Sequence, residues 1–372
     1  MRYAPTLLGL LVSGLLATSI CRADSPYSII LDPGEIVTGV RGLDDSGSNV
    51  VLTGSYLDGN GATQGLLYEG ALSGGGTTYY NLTPNFTGET SSVFYGPDTP
   101  FYNPDSIAPG NVQIVGSYQT SSTGSQDHGL LYQGTPTGTG TWTNIDVPES
   151  YTGAPVGETI AHSTMGDLVV GDYDLQGNPN SANAFIYSIS SQKFTLLNIG
   201  GSMSNDTTAY GIWQNGASNS TSYTIAGGSQ AELSINKAFL VDYDSLTGQF
   251  TNLKYYTDPS GGFTHFEGIT AVAGGFNVIG TTTTGAEMAF IPVNGDGTFG
   301  DATWTPVAYP DSGTSTGNSV YGDTGMGIFT QTGTMTQSYI VVVPEPSTNV
   351  LIILSLVGLG FIHFRRRSST AQ

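Results

Sequence analysis

The sequence predicts an all-β fold, a six-bladed β-propeller, from three observations. The first is composition: 372 residues include 53 Gly, 21 Tyr and 18 Pro, with only 10% charged residues. Strands and tight turns use such residues, whereas long surface helices need Glu, Lys, Arg and Ala. The second is a degenerate repeat of four short strands. The third is a last repeat that lacks one strand, which the N-terminal end can supply.

In chain order, residues 1–23 have the parts of a secretory signal peptide. Arg2 gives a positive start, "LLGLLVSGLLATSI" an apolar stretch, and Cys21 and Ala23 small residues before a cut between Ala23 and Asp24. Cys21 is the only cysteine. A mature chain without it has no disulfide, thiol catalysis or Cys-ligated metal.

Residues 24–341 form the repeat body. Five segments align on an apolar pair followed by glycine: "VLTGSY", "QIVGSY", "LVVGDY", "TIAGGS" and "NVIGTT", with Gly54, Gly116, Gly171, Gly227 and Gly280 in register. Each is followed by a second apolar strand, such as "GLLYEG" or "AFIYSI", and then by an aromatic-Thr strand, such as "TWTNIDVP" or "KFTLLNIG". Upstream lies a short strand, mostly with an aromatic-Gly step: "VTGV", "FYGP", "TIAHS", "AYGI", "FEGI" and later "VYGD". Four strands per unit is the pattern of a propeller blade.

After the fifth unit, "VYGD", "MGIFTQ" and "SYIVVV" supply three strands and no fourth. The segment 26–32 of the mature N-terminus matches the missing outer strand. Closing the ring this way removes an exposed sheet edge and leaves the tail directly after an inner strand. Units of about 55 residues are long for β-helix coils, and the split last unit favours a ring over an open solenoid or two sandwiches. The unit "GDLVVGDY…ANAFIYS", with "QDHGLLY", also resembles the HAF-type repeats of secreted bacterial proteins.

Residues 342–372 contain Pro344-Glu345-Pro346, an apolar run of 15 residues from Val350 to Phe364, and Arg365, Arg366 and Arg367. The run is short for a stable span, which needs roughly 20 residues. The order of these parts resembles the PEP-CTERM sorting signal. That resemblance implies export in a Gram-negative bacterium, transient retention in the inner membrane through 350–364, and processing by an exosortase-type enzyme. Release to the cell surface or an exopolysaccharide matrix would follow. Two prolines around Glu345 keep this stretch extended, where a processing enzyme reaches the backbone.

The formal net charge is −20, and five of nine Lys and Arg lie at the chain ends. Only Arg41, Lys193, Lys237 and Lys254 remain for the body. Such a body repels polyphosphate, which excludes nucleic acid as a partner.

No motif nominates catalytic residues. His128, His162 and His265 fall in different units and read as structural or surface groups. The Asp-box pattern of sialidase propellers has only a loose echo in "NGDGTFGDATW". The metal candidate is "GDYDLQGN", where Asp172 and Asp174 are spaced like the start of a calcium loop, although the closing acidic ligand is missing and turn chemistry explains the same residues. No other cofactor is expected. Trp142 and Trp304 recur in the outer strand and read as blade packing; Trp213 stands apart as a candidate exposed contact.

The leading expectation is therefore a non-enzymatic exported protein of the surface or matrix, associated with exopolysaccharide. A secreted glycoside hydrolase or lyase and a purely structural envelope protein are the alternatives.

Overall fold

The computed structural model describes residues 27–29, 31–44, 47–197, 206–230, 234–331 and 333–343. Among these residues, 24 strands form six four-stranded antiparallel sheets, with one short helix at Glu149–Thr152. From the axis outward, blade 1 is Ile36–Gly42, Asn49–Leu57, Thr63–Ala71 and Thr77–Tyr79. Blade 2 is Glu89–Asp98, Val112–Thr120, His128–Gly134 and Gly140–Asn144; blade 3 is Val156–Met165, Leu168–Leu175, Asn178–Ser188 and Lys193–Leu196. Blade 4 is Thr207–Gln214, Ser222–Ser229, Lys237–Asp244 and Gln249–Tyr256, and blade 5 is Thr264–Val272, Gly275–Thr282, Gly285–Pro292 and Thr303–Pro306. Blade 6 is Thr314–Tyr321, Thr324–Thr330 and Gln337–Val342, completed by Tyr27–Ser28.

The predicted closure is present. Tyr27 pairs with Val341 and Ser28 with Ile340, and the Tyr27 hydroxyl donates to the Ala308 carbonyl at 3.0 Å. Its ring packs on Tyr309 and Tyr339 at 5.5 and 5.8 Å.

The core is divided into six apolar clusters, each shared by two neighbouring blades. Val170, Ile186, Ile225 and Phe239 join blades 3 and 4; Val37, Leu52, Met326 and Ile340 join blades 1 and 6. Every blade thus buries both faces, which is why second strands read as nearly continuous apolar runs rather than alternating ones. Trp142 packs at a tilt against Tyr132 at 4.4 Å and Trp304 against Phe266 at 5.8 Å, as blade packing requires.

A second feature repeats six times. Every innermost strand carries a bulge that leaves one residue unpaired: Thr38, Tyr95, His162, Tyr210, Glu267 and Asn318. A bulge bends the strand and re-aims the extra side chain. Across from each bulge lies a glycine of the second strand: Gly54, Gly116, Gly171, Gly227, Gly280 or Gly327. A Cβ on these glycines would stand 1.7 to 2.1 Å from the carbonyl oxygen just before the bulge. The repeated glycine of the sequence is the space that the bulge needs. In blade 6 the bulge is at Asn318, so the innermost strand contains "TGNS" and not only the "VYGD" step expected to mark it.

The expected leader, with Ala23 and Asp24, lies outside the described residues, as does the tail with Pro344, Glu345, Pro346, the apolar run 350–364 and Arg365 to Arg367. Among the described residues no helix is long and apolar enough to cross a membrane.

Candidate functional site

The six bulged residues converge on the ring axis. Thr38, Tyr95, His162, Tyr210, Glu267 and Asn318 line one cavity of about 270 Å³, together with Ile160, Thr281 and Thr316. This lies near the lower end of small-molecule sites, roughly 300–1,000 Å³. Hydrogen bonds between blades hold the ring: the Thr38 hydroxyl donates to the Phe94 carbonyl, and Asn318 Nδ2 donates to the Val37 carbonyl at 3.1 Å.

The chemistry is concentrated on blades 2 to 5. His162 Nε2 lies 2.6 Å from Asp172 Oδ1, and the two side chains are 9% and 13% exposed. The His162 ring stacks on Tyr210 at 3.6 Å and meets the edge of Tyr95 at 4.9 Å. His265 packs edge-on against Tyr210 at 4.6 Å, shares a short hydrogen bond with the Thr208 hydroxyl, and places Nδ1 3.3 Å from Glu267 Oε1. Burial raises the phenols of Tyr95 and Tyr210, and nearby carboxylates raise them further, Asp127 and Asp172 for Tyr95 and Asp172 and Glu267 for Tyr210. Both phenols remain neutral hydrogen-bond donors.

Asp174 shares a strand face with Asp172. Burial, reinforced by the charges of Asp172, Glu158 and Asp206, pushes its carboxyl up to about 6, and its buried Oδ1 has no hydrogen-bond partner. Glu158, opposite Asp174 on the innermost strand, is also raised by burial and then by Asp127 and Asp172. The two residues expected at the head of a calcium loop therefore stand in the second strand of blade 3, and the turn begins after them at Gln176. Among the described residues no group of three or more His, Cys, Asp or Glu is placed to hold a metal ion.

At the far end of the innermost strands the axis is blocked. Arg41 of blade 1 donates to the carbonyls of Pro97 in blade 2 (3.3 Å) and Thr164 in blade 3 (3.1 Å). Its guanidinium lies 5.4 Å from the ring of Trp213 in blade 4 and 6.0 Å from that of Tyr102. Blade 4 is opposite blade 1, so this side chain crosses the axis. Trp213 is thus not the exposed contact expected from its isolated position; it is partly buried against two core clusters.

Asp98 is completely buried beside Arg41 and accepts from Thr99 N, Asn103 Nδ2 and Gly166 N at 2.7 to 2.8 Å. Burial outweighs the Arg41 charge and these bonds, and holds the carboxyl up at about 6. A raised folded value means that the folded state binds the proton more tightly than the unfolded chain. Stability therefore rises as pH falls through 6 towards the ordinary value of 3.8, by at most about 3 kcal/mol at ~1.4 kcal/mol per unit. Asp174 acts with the same sign. Thermal melts are expected to show a higher Tm at pH 5 than at pH 7.5, with a weaker slope in Asp98→Asn.

Residues 342–367 match the PEP-CTERM protein-sorting motif. No curated protein matches the chain in sequence. In structure it is similar to a protein of unknown function from Dyadobacter fermentans, with TM-score 0.52 and 10% identity over 85% of this chain and 98% of the other. It is also similar to the α-L-arabinofuranosidase of Fusarium graminearum. A mutant of that enzyme with an iminosugar inhibitor gives TM-score 0.50 and 14% identity over 85% and 97% of the two chains. Its complex with arabinobiose gives TM-score 0.50 and 13% identity at the same coverage.

These likenesses show the fold. They also correct the expectation of a non-enzymatic scaffold, since a propeller that superposes on most of this chain is an α-L-arabinofuranosidase. The chain is an exported, surface-sorted protein with a PEP-CTERM motif behind a six-bladed propeller.

Proposed function

We propose that the axial cavity binds an uncharged polysaccharide and hydrolyses its glycosidic bond. The observation that carries this reading is the ring of six bulges. It turns Glu267, two neutral phenols and an imidazole into one open cavity, and Asp174, on the next strand of blade 3, acts electrostatically on the Tyr210 phenol and keeps its proton up to about pH 6. Glycoside hydrolysis needs two carboxyl groups in different protonation states. Asp174 is the proton donor to the departing oxygen, and Glu267 is the base for the attacking water. Aromatic faces and hydroxyl donors suit a sugar ring, whereas a net charge of −20 repels an acidic polymer. Among the described residues no Lys or Arg lines the open cavity to offset that repulsion.

The test is release of new reducing ends from neutral matrix polysaccharides, followed between about pH 5 and 8, where such groups titrate. Glu267→Gln and Asp174→Asn are each expected to lower the rate about 100-fold, and Asp174→Asn to raise Tm near neutral pH, because it removes a charge that burial disfavours. Glycan binding without release of reducing ends across that range would overturn the hydrolytic reading.

The sorting motif supports a second part of the proposal. An exosortase-type enzyme cuts near Pro344 to Pro346 after the tail has held the protein in the inner membrane, and the propeller is left at the cell surface or in an exopolysaccharide matrix. Alternating strand directions bring the chain out at Val342 on the blocked side of the ring, so the open mouth stays accessible while the tail is attached. Mass spectrometry of the surface protein is expected to find a new C-terminus at this site. Intact Arg365–Gln372 on most surface copies would count against processing.

A further inference from the structure

The channel is a blind pocket, and this bears on which part of a glycan can reach the ring of bulged residues. Below that ring, the space lined by Val40, Arg41, Pro97, Ser163, Ile269 and Ser319 shrinks to about 20 Å³. A cavity of that size holds about one water, so no sugar unit passes.

The stopper is built from across the molecule. Arg41 bridges from blade 1 to carbonyls of blades 2 and 3 and lies against Trp213 of blade 4. Tyr102 sits on the connection between the first two strands of blade 2. It meets Trp213 at 5.4 Å and interacts electrostatically with Tyr321 of blade 6. That connection is itself fixed. It winds through helical turns, with Asn103 N donating to Thr99 O at 3.1 Å and Ile107 N to Asn103 O at 2.9 Å. Asn103 and Ile107 are both buried.

At the open end the ring is recessed. Glu267 is three residues in from Thr264, where its strand begins, which is roughly 10 Å at ~3.3 Å per residue. A polymer lying across the mouth leaves its middle units at the rim, and a polymer that enters must enter by an end.

We propose that the cavity recognises only the terminus of a glycan chain, so that the protein removes units from chain ends and does not cut within the chain. This rests on the glycan reading of the cavity. Two measurements separate the two ideas. In the first, linear neutral oligosaccharides of defined length are digested beside the same chains closed into rings. Stepwise shortening from one end, with rings untouched, is the expected result. Early fragments of mixed length, or opening of the rings, would overturn end recognition while leaving hydrolysis intact.

In the second, binding of the same linear and ring-closed chains to the full protein is measured with Glu267→Gln, which slows turnover about 100-fold. Loss of binding on ring closure is expected. If linear chains bind, rings do not and the wild type releases no product, end recognition stands and hydrolysis falls. Equal binding of both forms overturns end recognition alone, and no binding of either overturns both.

Discussion

A Gly227→Ala chain is expected to lose about 3 kcal/mol or more of stability, enough to leave much of it unfolded at physiological temperature. The added Cβ would lie 1.9 Å from the Thr208 carbonyl oxygen, with Thr208 C at 3.0 Å and Ala209 Cα at 3.1 Å. All three are backbone atoms, so no rotamer change relieves the clash. The strand that carries them is held on its other side by the neighbouring blade, since Ala209 belongs to the cluster joining blades 3 and 4. Moving it would also displace Tyr210, the bulged residue between Ala209 and Gly211. Gly59→Ala is the control: a Cβ there meets nothing within 4 Å. It is expected to change stability by no more than ~0.5 kcal/mol. Urea denaturation of both variants gives the comparison, and a Gly227→Ala midpoint equal to that of the wild type would remove this account of the repeat.

The same glycine explains how much of the fold is legible in the sequence. A residue that recurs because nothing larger fits leaves a visible mark, and Gly54, Gly116, Gly171, Gly227 and Gly280 set the blade register correctly. The bulge facing each glycine was visible only as an aromatic-Gly step. A one-residue insertion reverses which face a side chain takes, so the pattern did not say that Tyr95 or Glu267 turns into the channel. In blade 6 the step was misplaced, because Gly317 stands where other blades have an apolar residue and Asn318 is not aromatic. His162 and His265 read as isolated because they sit in different units, and only the packing of successive blades brings both against Tyr210. The spacing of Asp172 and Asp174 suits a loop, whereas the strand gives them His162 and a buried acidic neighbourhood instead. The stopper left no mark, because Arg41, Asp98, Tyr102 and Trp213 have no fixed spacing and come together only through the circular arrangement.

Arg41→Met is expected to cost about 3–5 kcal/mol near neutral pH, the usual penalty for leaving a buried charge uncompensated, here that of Asp98. Methionine fills similar space but offers nothing to the carbonyls of Pro97 and Thr164, and it leaves Asp98 without the one charge that favours its ionised form. Asp98 accepts three hydrogen bonds but is fully buried, so the variant relieves its cost mainly by protonation. The loss should therefore shrink as pH falls from 7.5 to 5, more steeply than the pH dependence of the wild type. Arg41→Lys is expected to recover only part of the stability, since one ammonium cannot reproduce a planar fork that reaches two carbonyls and stacks on Trp213. Asp98→Asn in the Arg41→Met background removes the stranded charge and should restore stability at neutral pH, a non-additive result measurable as a double-mutant cycle. Additive losses at pH 7.5, with no gain on acidification, would mean that Arg41 matters for its packing alone.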